Sequence, residues 1–190
     1  MIKARAARKR QSFLFKRYNF VMQILTEIHR AEGINTHGKT VHRTAVRAVI
    51  LRGPELLMVY SSNVGDYKFP GGGVDVGESH PEALARELME ECGASLLSVD
   101  GEFGAVVEYN FAEEKEYDVF MMTSYYYFCQ IMEEFGSQNL DEYEKDLGFQ
   151  PLWINIDEAI LLNRSLLETD EIPQWLHREI FVLEHIKHSM

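Results

Sequence analysis

From Val41 to Leu51 β-branched residues dominate, and a second apolar run covers Leu56 to Tyr60. Arg52-Gly53-Pro54-Glu55 lies between them, so the pattern predicts two strands joined by a turn, a hairpin. Further strands are predicted at about 96–100 and 103–111. A polar turn at Glu113-Glu114-Lys115-Glu116 then leads into a long strand from Tyr117 to Ile131, with another at Gln150–Ile154. Between Ser79 and Gly93 the pattern is helical: Leu84 and Leu88 stand four apart and mark a buried stripe. Ser79-His80-Pro81-Glu82 fits a capping box, with Ser79 at the N-cap and Glu82 three residues on, and Gly93 supplies the left-handed position after Cys92. Asp157 is expected to cap a helix through Leu162, and Pro173 to open a C-terminal helix with apolar positions at Leu176, Ile180 and Leu183. Residues 13–28 are rich in apolar and aromatic side chains and predict a helix or strand docked on the core, with Gly33 to Lys39 as a linker. Strands flanked by helices at irregular intervals imply mixed α/β layers. The simplest division is an N-terminal arm over 1–40 and one domain over 41–190.

Composition sets limits on this picture. A chain of 190 residues with 46% hydrophobic content can bury one sizeable core. Two cysteines, Cys92 and Cys129, provide no disulfide framework and suit a reducing, cytoplasmic setting. No apolar run approaches a membrane-spanning length. The net charge of −11 disfavours nucleic acid as the main partner. That charge is uneven: residues 1–17 hold seven Lys or Arg and no acid, and the remainder carries a net −18. The arm reads either as a phosphate- or nucleic-acid-touching segment or as a solvated tail resting on the acidic body. Met22 leaves open a start further downstream.

The chemistry concentrates between Pro70 and Gly93. Pro70-Gly71-Gly72-Gly73 is a glycine-rich turn whose backbone, lacking Cβ atoms, can approach a metal or a phosphate closely. On the helix that follows, Glu87, Glu90 and Glu91 stand at i, i+3 and i+4, within about one turn. Their carboxylates are expected to point roughly away from the Leu84 and Leu88 stripe. Three uncompensated carboxylates this close repel one another, and a hard divalent cation converts the repulsion into binding. An isolated E-x-x-E-E is commonly a solvated face. Its coupling to a glycine turn and a capped helix is what favours a site. No P-loop, G-x-G-x-x-G or EF-hand pattern is present.

Gly72, Glu78, Arg86, Glu87, Leu88, Glu90, Glu91 and Gly93 fall in register on the pattern G-x5-E-x7-R-E-U-x-E-E-x-G-U, in which U is bulky and aliphatic. The chain thereby resembles the Nudix hydrolases. Ala94 at the last U is the one departure, and its small size should weaken packing rather than chemistry. The surroundings agree over roughly residues 41 to 165: a strand before the box, Tyr67-Lys68-Phe69-Pro70 leading in, and Trp153-Ile154 followed by Asp157-Glu158-Ala159. The resemblance implies an α/β/α sandwich around a central mixed β-sheet, and a Mg²⁺ or Mn²⁺ cofactor. It implies Glu87 and Glu91 as metal ligands, Glu90 as a third ligand or the base, and the Gly71 carbonyl as a further ligand. Arg86 and Glu78 would form an internal ion pair that orients the loop against the helix. Because related enzymes place the base differently, Glu133, Glu134, Asp141, Glu142 and Glu144, read as a loop, are further candidates.

Substrate choice lies outside the box. Arg47 sits mid-strand, on the opposite face to Val46 and Ala48, and either reaches phosphates or pairs with an acid; Gly72 and Gly73 are the other substrate-binding candidates. Tyr60, Tyr67 and Tyr125–Tyr127 could stack a base, although strand aromatics more often pack a core. Tyr60-Ser61-Ser62 stands where oxidised-nucleotide sanitisers of the family tend to carry an arginine. His42 and His80 read as isolated, and Cys92 as a small buried hydrophobe. The function implied is metal-dependent hydrolysis of the diphosphate in a nucleoside diphosphate linked to another moiety, such as ADP-ribose or a sugar nucleotide. Its alternatives are a non-catalytic nucleotide sensor and an RNA-end processor guided by the basic arm. A small nucleotide is the expected partner, and a monomer and a homodimer both stay open.

Overall fold

The structure is a computed structural model and describes residues 22–190. The part of the basic and aromatic arm before residue 22 lies outside the described residues. The strands are β1 (Ile24–His29), β2 (Thr40–Val49), β3 (Leu51–Arg52), β4 (Glu55–Ser61), β5 (Asp66–Lys68), β6 (Ala94–Phe111), β7 (Val119–Phe135) and β8 (Phe149–Asn155). The α-helices are α1 (His80–Cys92), α2 (Glu142–Leu147), α3 (Ile156–Ser165) and α4 (Leu176–Ser189).

The strands fall into two four-stranded sheets. One runs β1-β6-β7-β2, with β1 parallel to β6, β2 parallel to β7, and β6 antiparallel to β7; the other runs β3-β4-β5, with β8 on the second edge of β4. Their side chains explain the layering. Along β4, Leu57 and Val59 join Val46, Ala48, Leu84 and Leu88 under α1, while Leu56 and Met58 join Ala159, Val182 and Leu183 under α3 and α4. Strands apolar on both faces are what helices on both sides require. The result is the expected α/β/α arrangement, with all three predicted apolar positions of α4 buried.

Several local expectations are corrected. The hairpin is formed by β3 and β4 only, because the chain breaks at Ile50 and β2 leaves for the other sheet. The strands predicted at 96–100 and 103–111 are one strand, β6, whose register against β7 shifts around Asp100–Phe103. Extra residues of this kind are absorbed as bulges and look like turns in a sequence. Asn155, not Asp157, caps α3, its side chain accepting from the Asp157 amide. The C-terminal helix begins at Leu176; the Pro173 carbonyl accepts from the Leu176 amide in the preceding turn. From the 13–28 stretch, residues 24–28 belong to β1, which runs on to His29 at the edge of its sheet.

Cys92 and Cys129 are both free and buried. Among the described residues no helix is long and apolar enough to cross a membrane.

Candidate active site

The glycine turn is built along the free edge of β2. Ala48 donates its amide to the Pro70 carbonyl, Val46 to Gly72, and Val74 to Thr44, while Ala45 bridges Gly73. This ladder presses the turn so tightly on the strand that Gly71, at φ +131°, could carry no side chain: a Cβ there would lie 2.2 Å from the Val46 carbonyl oxygen. The Gly71 carbonyl accepts no hydrogen bond from a described residue.

Helix α1 begins and ends as its sequence predicts. Ser79 and Glu82 close a capping box, and Gly93 takes the left-handed conformation at φ 65°. Its face is another matter. Glu87 and Glu91 are buried alongside Leu84 and Leu88, not turned away from them. They reach past the apolar stripe to the glycine turn. The Gly71 amide donates to Glu91 Oε2 at 2.6 Å, and the Glu87 carboxylate fills the space beside Gly72 that a Cβ would occupy at 2.5 Å from Oε1.

A third carboxylate meets these two from another element. Oxygens of Glu87, Glu91 and Glu144 all lie within 4.8 Å of one another. Glu144 belongs to α2, where it also closes a capping box with Asp141. The stretch read as an acidic loop is thus partly helical, and Glu133 and Glu134 are exposed residues of β7. Glu90 is not in this trio; its Oε2 accepts from Arg86 Nη1 at 3.1 Å.

Arg86 ties the motif together. It makes a two-pronged contact with Glu78, both bonds at 2.9 Å, and donates to Glu87 Oε1 and to the Gly73 carbonyl, each at 2.8 Å. One guanidinium therefore spans loop, turn and helix, a use of its planar fork that lysine could not reproduce. Its hydrogen bonds hold the Glu78 carboxyl down at about 2.

Glu87 and Glu91 are buried and Glu144 half-buried. Burial raises the Glu87 carboxyl and the Glu144 carboxyl above the ordinary carboxylate range. Burial also pushes Glu91 up to about 8, against the opposing pull of the Arg47 charge and the Gly71 amide. A buried carboxylate without an ion pair among the described residues, as Glu91 is, gives up its proton to a metal, so the donor set fits a hard divalent cation. Three oxygen donors with no thiol or imidazole suit a hard divalent ion rather than zinc.

Arg47 is half-buried, and its Nε has no hydrogen-bond partner among the described residues. Its charge acts on both Glu87 and Glu91. Gly73 faces the exposed Arg43, whose guanidinium would lie 3.4 Å from a Cβ placed there. Tyr67 and Tyr126 are core residues. His80, read as isolated, has Nδ1 2.6 Å from the Tyr127 hydroxyl and its ring centroid 4.8 Å from that of Tyr125. Cys92 is the buried hydrophobe expected of it, its thiol pushed up by burial. Sequence reasoning did not weigh Lys68 or Arg43, and it offered Glu144 only as one acid among five. A basic residue on the short strand entering the turn was the signal for Lys68.

The model of the NUDIX domain matches residues 41–176 of this chain. An RNA pyrophosphohydrolase of a Sulfurovum species is 33% identical over 115 residues, covering 56% of this chain and 73% of that protein. Another RNA pyrophosphohydrolase, from a Nitratiruptor species, is 34% identical over 105 residues, covering 50% and 68%. A solved NUDIX hydrolase from Nitrosomonas europaea superposes with a TM-score of 0.51 at 20% identity, over 77% of this chain and 90% of that one, a likeness of fold. With the box in register, the layered fold around it and a family match across the whole central region, the chain belongs to the NUDIX family and is a Nudix-type pyrophosphohydrolase.

Proposed function

We propose that the chain hydrolyses a nucleotide diphosphate bond with a divalent cation held by Glu87, Glu91 and Glu144. The observation that carries this reading is the convergence of these three carboxylates beside the Gly71–Gly73 turn. A diphosphate is anionic and repels nucleophiles, so its hydrolysis needs neutralised charge, a positioned water and a base. When bound, Mg²⁺ or Mn²⁺ supplies charge neutralisation and a more acidic water. The chain's own residues do the rest. The Gly71 amide fixes one oxygen of Glu91, as supporting bonds orient ligands elsewhere, and the unengaged Gly71 carbonyl is available as a further ligand. Arg86 and Glu78 hold the loop against α1. Arg47 and the Gly72–Gly73 backbone would meet phosphoryl oxygens of the substrate. Glu90, outside the trio and next to Glu91 on α1, accepts the proton of the attacking water.

The substrate we favour is the 5′-triphosphate end of RNA, ahead of ADP-ribose or a sugar nucleotide. Two relatives named RNA pyrophosphohydrolase align over more than two thirds of their own length, and residues 1–17 carry seven basic side chains in an otherwise acidic chain. Water would add to phosphorus as the bridge between the α- and β-phosphoryl groups breaks, leaving a 5′-monophosphate and releasing pyrophosphate. The test is to incubate the full chain and Mg²⁺ with a 5′-triphosphorylated oligonucleotide and, separately, with ADP-ribose. Conversion of the RNA end to a monophosphate is expected. AMP release from ADP-ribose with RNA ends intact would restore the nucleoside-diphosphate reading, and binding without cleavage of either would make the chain a sensor.

A further inference from the structure

Lys68 is a third cation near the carboxylate trio, besides Arg86 and Arg47. It lies on β5, three residues before Gly71. Its Nζ sits 3.7 Å from the Phe149 ring centroid and 4.7 Å from that of Trp175. Among the described residues no carboxylate comes within ion-pair distance of it. Two aromatic faces thus stand where a counter-ion would be expected, and they compensate only part of the hydration an ammonium loses.

The backbone carrying Lys68 is held on both edges. Val59, Tyr60 and Ser61 of β4 pair one side of β5. On the other side helix side chains take the place of a strand: Asn163 accepts from the Tyr67 amide and donates to its carbonyl, at 2.8 and 2.9 Å, and Glu179 accepts from the Phe69 amide at 3.0 Å. The Trp175 indole donates to Asp66, which fixes one of the two rings under the ammonium. Such bracing makes Lys68 a pre-oriented group rather than a wandering surface chain. The charges that act on it are those of Glu91, Asp66, Arg47 and Glu179, and its own charge acts on Glu144. Two of the three carboxylates, Glu91 and Glu144, are therefore among its charged neighbours.

We propose that Lys68 binds a phosphoryl group of the substrate, forming with Arg47 a cationic clamp over the diphosphate. This rests on the diphosphate-hydrolase reading above. An ammonium with no ion-pair partner among the described residues, seated on two rings by a strand that leads into the Gly71–Gly73 turn, is suited to an incoming polyanion. A role limited to neutralising Glu91 predicts tighter metal binding with the affinity for a diphosphate unchanged, because removing a nearby cation strengthens a carboxylate site for a divalent ion but takes nothing from the substrate.

The two are separated by titrating full-length wild-type, Lys68→Met, Lys68→Gln and Lys68→Arg chains with Mn²⁺ alone and then, at saturating Mn²⁺, with α,β-methylene ADP. Circular dichroism checks that each variant is folded. Loss of the ammonium should weaken α,β-methylene ADP binding tenfold or more and raise KM on triphosphorylated RNA similarly. Mn²⁺ binding should be retained or tightened, and Lys68→Arg should stay within about threefold of wild type. Methylene ADP affinity and KM within twofold of wild type in both neutral variants would overturn the proposal, as would failure of the wild-type chain to bind the analogue at all. A Glu91→Gln chain run alongside distinguishes the levels: if it keeps full turnover the hydrolase reading fails, whereas if it is inactive and the Lys68 variants are normal only the clamp fails.

Discussion

Replacing Glu91 by glutamine should stabilise the metal-free protein while abolishing its response to metal. Glutamine keeps the size of the side chain and an oxygen for the Gly71 amide, but it cannot ionise. In the folded chain burial pushes Glu91 up to about 8, from an ordinary value of 4.5. Between those two values the folded state holds a proton that the unfolded state has released. Stability of the metal-free wild type therefore falls as pH rises through this window, and the loss is complete above it. A tenfold change in proton affinity is worth about 1.4 kcal/mol, and relaxation around a buried carboxylate reduces the total to about 2–4 kcal/mol. For a chain of this size that is a melting-temperature difference of roughly 5–15 °C. The assay is thermal unfolding of wild type and Glu91→Gln in EDTA from pH 6 to 9, repeated with Mn²⁺. In EDTA the variant should melt above wild type by a margin that widens with pH. With Mn²⁺ the order should reverse, because binding displaces the proton and stabilises only the wild type. A difference that does not change with pH in EDTA, or equal stabilisation of both chains by Mn²⁺, would refute the assignment of Glu91 as a buried, metal-seeking carboxylate.

Other substitutions probe the parts separately. Gly72→Ala places a methyl 2.5 Å from Glu87 Oε1, so it should displace that carboxylate, weaken Mn²⁺ binding tenfold or more by titration, and leave the melting temperature nearly unchanged. Gly93→Ala meets both a left-handed backbone and the Gly136 carbonyl oxygen at 2.4 Å; it should cost about 1–3 kcal/mol or more in urea unfolding while sparing activity per folded molecule. Asn163→Ala strips the Tyr67 amide and carbonyl of their partners, and two buried unpaired groups should cost about 2–5 kcal/mol, read as a lower urea midpoint.

The legible parts of this molecule are those governed by local rules. The limits of α1 followed from Ser79, Glu82 and Gly93, because caps and left-handed glycines act within one turn. Likewise, the Arg86–Glu78 pairing lay in motif spacing alone. What could not be read locally was where β2 goes: its partner β7 is far along the chain, with Thr40 opposite Val119, and Leu51 after β2 looks like a continuation of the same run. The inward face of Glu87 and Glu91 was misjudged for a related reason. Carboxylates next to a leucine stripe are solvated by default, and only the tertiary approach of the glycine turn and α2 gives them a buried destination. Glu144 comes from an element distant in sequence, and the fold alone makes it a neighbour of Glu87 and Glu91.

The account turns on whether one divalent ion sits among the oxygens of Glu87, Glu91 and Glu144. Anomalous diffraction from crystals soaked in Mn²⁺ addresses this directly. A peak is predicted beside the Gly71 turn with carboxylate oxygens of Glu87, Glu91 and Glu144 at coordination distances of about 2.0–2.3 Å. Crystals saturated with Mn²⁺ that show no peak there, or that place the ion on other residues, would contradict it.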